Sequence, residues 1–341
     1  MSLLRFHGGS ANVRLDFSTN LNPMGTPDFV VNIVRNCTYG RYPDYNYTAL
    51  RSAIAKAYGL NADEVVPVNG ASEGLYASIA ASSLMGIKRC ATLSPNYGDS
   101  ELAALCTLLG MRVDRCLIFD GLKCPVDKGS LIILSNPNNP TGTLLNRGSV
   151  VELASKAGLA IVDEAYINLS DDPTQTVIGI DEEGIVVVRS LTKELALPGL
   201  RLGFIWSRNA RFMNIVKSML PSWNVNSCAE AVGVAIHGEY WGQYTRFLEE
   251  SRRVIRPLRE FLARGLSELG FKVMESRANF ILSEAPIKAS ELYERLLRRG
   301  IAVRVPVGFF GLSERHIRIS VKPLPDEEEL LRAIREVFEG G

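Results

Sequence analysis

"VRSLTKELALPGLRLGF", residues 188–204, closes an apolar run, puts Lys193 just beyond its end, and follows with Arg201 inside a Gly-Leu-Arg-Leu-Gly frame. The run before the lysine, "GIVVVRS" (184–190), has the continuous apolar character of a strand buried on both faces. Five more such runs surround it: VVPV (65–68), CATLS (90–94), LIILS (131–135), LAIVDEA (159–165) and LGFIWS (202–207). Segments between them, such as "SEGLYASIAASSL", carry apolar residues at helical spacing. The alternation predicts an α/β unit built on a mostly parallel sheet.

The texture changes after "PSWNVNS" (221–227). A charged helical segment over roughly 236–269, with Pro257 as an expected kink, leads to strands at FKVME, NFILS, IAVRVP and HIRISVK. Helices are expected at ASELYERLLRRG and DEEELLRAIREVF, which makes a smaller α+β unit. The reading divides the chain into an arm over 1–40 that belongs with the small domain, a large domain over 41–230 and a small domain over 231–341.

Bulk properties narrow the partners. The 341 residues are enough for about two domains at roughly 150 residues each. With 38 Lys and Arg against 37 Asp and Glu, the net charge of +1 gives no long-range field for nucleic acid or an anionic membrane. No window approaches about 18 apolar residues, and the N-terminus lacks the pattern of a secretory signal. The six cysteines form no C-x-x-C and the three histidines no zinc spacing, so no metal is expected, and reduced thiols in a cytoplasm are.

Ligands of open parallel sheets sit at the carboxyl ends of strands, beside the helix N-termini that follow. Here those ends read "NGASEG" (69–74), "SPNYG" (94–98), "SNPNNPTG" (135–142), "DEAY" (163–166) and "RSLTK" (189–193). "NGASEG" offers Ala71, Ser72 and backbone N–H groups at a helix start, Ser190 and Thr192 add hydroxyls, and Arg201 adds a planar cation. The set suits a phosphorylated ligand. A partly desolvated lysine near a guanidinium has a lowered pKa and supplies a neutral amine for attack on an aldehyde, which assigns Lys193 as a Schiff-base residue. The matching cofactor needs a carboxylate at its ring nitrogen, which Asp163 can supply; Tyr97 can stack on the ring, and Asn139 and Tyr166 can reach its hydroxyl.

A hydrolase is the rival. Gly70-Ala71-Ser72-Glu73-Gly74 matches G-x-S-x-G between a strand and a helix, "His7-Gly8-Gly9" imitates an oxyanion loop, and Asp163 and His316 complete the order Ser, Asp, His. That reading leaves Lys193, Arg201 and "NPNNPTG" without a role, and places the HGG ahead of any strand able to hold it. A non-catalytic effector-binding protein on the same scaffold has no need of Lys193.

"SLTK" followed by "PGLRLGF", with "NPNNPTG" and "DEAY" upstream, resembles the fold type I pyridoxal-phosphate enzymes, in the branch that holds the histidinol-phosphate aminotransferases. "HGGS…LDFSTNLNPMG" and "RYPD" resemble the threonine-phosphate decarboxylases of cobalamin biosynthesis, and Asn20-Leu21-Asn22-Pro23 departs from the N-E-N-P-like segment usual in the aminotransferases. The resemblance implies pyridoxal 5'-phosphate as cofactor and a phosphorylated amino acid as substrate, held by Arg304 and Arg318 with His7, Gly8, Asn20 and Asn139. It implies a homodimer in which Tyr42 of "RYPD" reaches the cofactor phosphate in the other subunit. The expected reaction is decarboxylation of L-threonine O-3-phosphate, the alternative being histidinol-phosphate transamination.

Overall fold

The computed structural model describes residues 8–9 and 12–340. In chain order its elements are β1 (Leu15–Asp16), α1 (Asp28–Arg35), α2 (Thr48–Tyr58), β2 (Val65–Val68), α3 (Gly70–Leu84), β3 (Arg89–Ser94), α4 (Asp99–Leu108), β4 (Arg112–Leu117) and β5 (Ser130–Ser135). Then come α5 (Arg147–Lys156), β6 (Leu159–Asp163), β7 (Ile185–Ser190), β8 (Gly203–Trp206), α6 (Ala210–Met219), α7 (Ser227–His237) and α8 (Trp241–Glu268). The last are β9 (Lys272–Val273), β10 (Phe280–Glu284), α9 (Ala289–Leu297), β11 (Ile301–Ala302), β12 (His316–Ser320) and α10 (Leu324–Glu339).

The main sheet has the strand order β2-β8-β7-β6-β5-β3-β4. The pairs from β7 through β6, β5 and β3 to β4 are parallel, and β8 runs antiparallel to both β7 and β2. Every residue of β5, β6 and β7 is buried. Alternate residues serve two separate cores: Ile132, Leu134, Val162 and Val187 pack on one face, and Leu131, Ile133, Ile161, Val186 and Val188 on the other. This explains the unbroken apolar runs, since a strand covered by helices on both sides has no face to leave polar.

Strand β4 is absent from the sequence expectation. It lies at the sheet edge and is mostly partly exposed, and its sequence RVDRCL mixes charge with apolar residues, so its hydrophobic signal is that of a loop.

The smaller layer is a three-stranded antiparallel sheet, β12-β10-β9, beside the parallel pair β1-β11. Phe17 N–H donates to Ala302 O at 2.7 Å and Ser320 N–H to Phe17 O at 3.0 Å, so the N-terminal segment is stitched to both parts of it. Helix α8 joins the layers: Tyr244, Phe247, Leu248 and Ile255 pack into a core of the main sheet, and Leu262 and Leu266 into that of the small one. The charged segment expected over 236–269 is split, since α7 ends at His237 and α8 begins at Trp241. "IAVRVP" is a strand only at Ile301–Ala302; Arg304 continues it as an isolated bridge to Arg318.

The expectation of reduced thiols is corrected. Cys37 pairs with Cys228 across 191 residues with a Cα–Cα distance of 5.2 Å, and Cys116 with Cys124 at 5.4 Å, while Cys90 and Cys106 are free and buried. No local motif announces the long-range pair, because only packing of the segment after α1 against α7 brings its members together.

Candidate active site

Parallel pairing brings the carboxyl ends of β3, β5, β6 and β7 to one edge of the sheet, and a single cavity there is lined by residues from every expected strand end. Lys193 lines it, three residues past the end of β7. Its main chain is held firmly: Lys193 O accepts the N–H of Asn22 at 3.0 Å and of Ala196 at 3.2 Å, and Leu197 N–H donates to Thr192 O at 3.0 Å. Asn22 Nδ2 also donates to Glu194 O and to Ser251 Oγ, which ties the lysine turn to α8. Burial lowers the Lys193 ammonium to about 8, and Arg318 and Arg201 push it the same way.

Asp163 ends β6 and is 6% exposed. Burial, with Glu164 beside it, raises its carboxyl to about 7 even though Ala165 N–H donates to Oδ1 at 3.0 Å. Glu164, the other acid of the pair, turns away from the cavity: it receives Thr176 Oγ1 and Val177 N–H and pairs with buried Arg189 at 3.0 Å. The two neighbouring acids therefore do different work, one facing the site and one anchoring the strand end.

A cup of small and hydroxylic groups forms the third side. Ala71 and Ser72 lie in the first turn of α3, Ser190 Oγ and Thr192 Oγ1 are 2.8 Å apart, and Arg201 crosses over the turn with Nη2 donating to Asn69 O at 3.3 Å. Gly70 sits at φ +76°, and a Cβ there would meet Arg201 Nη2 at 2.4 Å; the guanidinium occupies the space a side chain would fill. Tyr97 reaches the same cup, its Oη 3.2 Å from Ser72 Oγ, and burial raises its phenol.

Opposite lie the small-layer arginines. Arg318 is buried, with Nη1 donating to Asn139 Oδ1 at 2.6 Å, Nη2 to Ser18 O at 2.7 Å, and its guanidinium 5.5 Å from the Phe280 ring centroid. Ile317 and Ile319 pack into the small core, so strand alternation turns Arg318 to the cavity. Arg304, for which an outward position on an edge strand is the plain alternative, is 5% exposed and also lines the cavity. Burial, then Arg318, lowers it to about 10. Asn20 Nδ2 donates to Tyr166 Oη at 3.3 Å, and Gly8 packs so closely on Ser18 that a Cβ would lie 2.2 Å from its carbonyl oxygen.

Tyr42 is 77% exposed, stacks on Trp223 at 4.4 Å and does not line this cavity; His7 lies outside the described residues. The hydrolase triad does not assemble, since Ser72 is bonded to Tyr97, whereas His316 Nδ1 faces Ser313 and is not a cavity residue. The cavity adds residues the sequence reading missed: Ser18 and Thr19 from the arm, Asp99–Glu101 from the start of α4, and Val307–Phe309 from the loop before β12. Only the acids after "SPNYG" gave a signal, as carboxylates at a helix start.

The model of the family described as aminotransferase class I and II matches residues 14–337. The chain belongs to that family. It is 32% identical to the adenosylcobalamin biosynthesis bifunctional protein CobDQ of Leptospira interrogans, over 96% of this chain and 39% of that longer protein. Threonine-phosphate decarboxylase of Salmonella typhimurium is 30% identical, covering 98% of this chain and 93% of the relative; histidinol-phosphate aminotransferase of Nitratidesulfovibrio vulgaris is also 30% identical, covering 98% and 91%. Among solved structures, histidinol-phosphate aminotransferase from Clostridium acetobutylicum superposes with a TM-score of 0.84 at 28% identity, over 96% of this chain and all of that one. The Sinorhizobium meliloti enzyme, solved in complex with pyridoxal-5'-phosphate, gives 0.78 at 21% over 96% and 92%.

The chain thus has the fold type I architecture and takes pyridoxal 5'-phosphate as its cofactor. Its own residues fit that group. A buried carboxyl raised to about 7 awaits a cation, a lysine lowered to about 8 has a reactive amine at hand, and a glycine-floored cup with two hydroxyls and a guanidinium suits a phosphate.

Proposed function

We propose that this protein removes carbon dioxide from L-threonine O-3-phosphate, giving (R)-1-amino-2-propanol O-2-phosphate for cobalamin biosynthesis. The observation that carries the reading is the pair of buried arginines, Arg304 and Arg318, turned into one cavity beside Lys193. Two guanidiniums facing one cavity suit a small ligand with two anionic groups, and threonine phosphate carries a carboxylate and a phosphate on either side of its amine.

When bound, the cofactor draws electron density from the substrate's α-carbon. Lys193 would hold it covalently, Asp163 would stand at the ring nitrogen and Tyr97 on the ring face, and Asn139 and Tyr166 would address the ring hydroxyl. Ala71, Ser72, Ser190, Thr192 and Arg201 would hold its phosphate, with Tyr42 of the second copy in a homodimer. Arg318 holds Asn139, the residue that would address the ring hydroxyl, whereas Arg304 packs on Phe309 of the loop before β12. Arg318 therefore takes the substrate carboxylate next to the reacting carbon, and Arg304 takes the phosphate nearer the rim. Arg318, braced by Asn139 Oδ1 and Ser18 O, would hold the substrate carboxylate in one fixed orientation that favours its loss. After carbon dioxide leaves, Lys193, mostly protonated at neutral pH with its ammonium near 8, would donate a proton to the α-carbon.

The purified enzyme is offered threonine phosphate, and separately histidinol phosphate with 2-oxoglutarate. Carbon dioxide from the first and no glutamate from the second is expected. Fast glutamate formation without carbon dioxide overturns the reading and makes the chain an aminotransferase.

A further inference from the structure

The loop between β11 and β12 crosses from the small layer to the start of α4, and two hydrogen bonds clasp it there. Phe310 N–H donates to Asp99 Oδ2 at 2.9 Å, and Ser100 Oγ–H donates to Gly308 O. The fit is close: Gly308, at φ +83°, would bring a Cβ to 3.0 Å from Ser100 Oγ, and Gly311 would bring one to 2.5 Å from Leu117. Arg115 lies over the Phe310 ring at 5.2 Å. Asp99 is 2% exposed and its second oxygen accepts Ser94 Oγ–H at 2.8 Å, so one carboxylate joins the end of β3, the head of α4 and the loop. The residues between the clasp points line the active-site cavity, and Phe309 lies under the Arg304 guanidinium at 5.9 Å.

We propose that Asp99 and Ser100 are positioning residues: they seat the loop Pro306–Ser313 as a strap over the cavity rim, and through Phe309 the strap fixes Arg304 for the phosphate end of the substrate. The assignment of Arg304 to phosphate rests on the function proposed above; the clasp does not. The Arg304 guanidinium sits at the end of four flexible side-chain torsions, and Phe309 packs its flat face while the strap is seated. The Asp99 carboxylate is taken up by Ser94 Oγ–H and Phe310 N–H on the strap side, so its loss should weaken binding at Arg304 and leave bond breaking alone.

The test uses the holoenzyme and the variants Asp99→Ala, Asp99→Asn and Ser100→Ala, each checked for full cofactor absorbance. Hydrogen exchange without substrate reads the clasp: amides 307–313 should exchange at least about tenfold faster in Asp99→Ala, while Asn, which can still accept from Phe310 N–H, stays near wild type. Kinetics with threonine phosphate read Arg304: KM should rise about tenfold or more in Asp99→Ala with kcat within about twofold, and less in Ser100→Ala. Unchanged exchange in Asp99→Ala sinks the strap, and equal falls in kcat and kcat/KM sink the positioning role. If the wild type turns over no threonine phosphate, the function proposed above fails visibly in the parent enzyme. Weakened inhibition by inorganic phosphate, against whatever reaction the enzyme then catalyses, becomes the readout of Arg304, and an unchanged inhibition constant counts against the proposal. Asp99→Asn folding normally and matching wild type separates a lost clasp from a misfolded protein.

Discussion

Burial shifts Lys193 and Asp163 toward their neutral forms, and the consequences for stability have opposite sign. In cofactor-free protein the lysine sits near 8 against 10.5 for an ordinary side chain, so between those values the unfolded chain binds the extra proton and stability should rise with pH. Asp163 sits near 7 against 3.8, so from about pH 4 to 7 the folded chain holds the extra proton and stability should fall as pH rises. Melting temperature against pH checks both: Lys193→Met should flatten the alkaline rise and Asp163→Asn the acid-side fall, each as a difference from the parent. Slopes identical to the parent's would mean that these environments are more hydrated than the structure implies. Arg318 invites a separate substitution. Arg318→Lys keeps the charge but loses the fork that spans Asn139 Oδ1 and Ser18 O, so kcat/KM should fall at least tenfold, about 1.4 kcal/mol of transition-state binding. These side chains were legible in the sequence because each stands at a strand end or on the cavity face of a strand, positions that alternation and sheet topology define. Asp99 and Phe310 were not legible as a pair, since they lie 211 positions apart and only the loop before β12 brings them to one rim.

At the scale of elements, the turn from β2 into α3 is where backbone conformation and ligand cup meet. Gly70 takes a left-handed φ of +76°, which costs an L-residue about 1 kcal/mol, and leaves room for the Arg201 guanidinium. Gly70→Ala should therefore lower stability by about 1–2 kcal/mol in denaturant and release cofactor more readily on dilution, because Arg201 must move off the cup. Unaltered cofactor retention would show that Arg201 has another comfortable position. The same contrast governs which elements could be read in advance. Strands β5, β6 and β7 announce themselves because two cores claim alternate residues of each, leaving a continuous apolar run. Edge strand β4 and the two-residue strand β1 carry too little buried surface to leave a pattern; tertiary pairing, not propensity, makes them strands.

For the whole molecule, the surface around Tyr42 bears on how many chains make one site. Tyr39, Tyr42 and Tyr45 are 73%, 77% and 62% exposed, and Trp223 carries both Tyr42 and Tyr45 against its ring. Tyr42, Tyr45 and Trp223 thus form one cluster of exposed rings, costly for a solitary chain and ordinary for a covered one. The Cys37–Cys228 bond and the Ser227 Oγ–H donated to Arg41 O fix the base of this segment against α7, so the patch is presented rather than loose. Its most exposed ring, Tyr42, does not line the cavity of its own chain, and in the homodimer proposed above it serves a second copy's cavity. Mixing two inactive variants decides the point. Tyr42→Ala and Lys193→Ala each remove one group from every site of their own homodimers. In a hybrid, the chain that keeps Lys193 receives the intact Tyr42 of its companion, so one of the two sites is complete. Random reassortment makes half the dimers hybrid, and activity should recover to about a quarter of the parent value. Were Tyr42 to serve its own chain, every site would still lack one group and the mixture would stay as inactive as its components, however well the subunits exchanged.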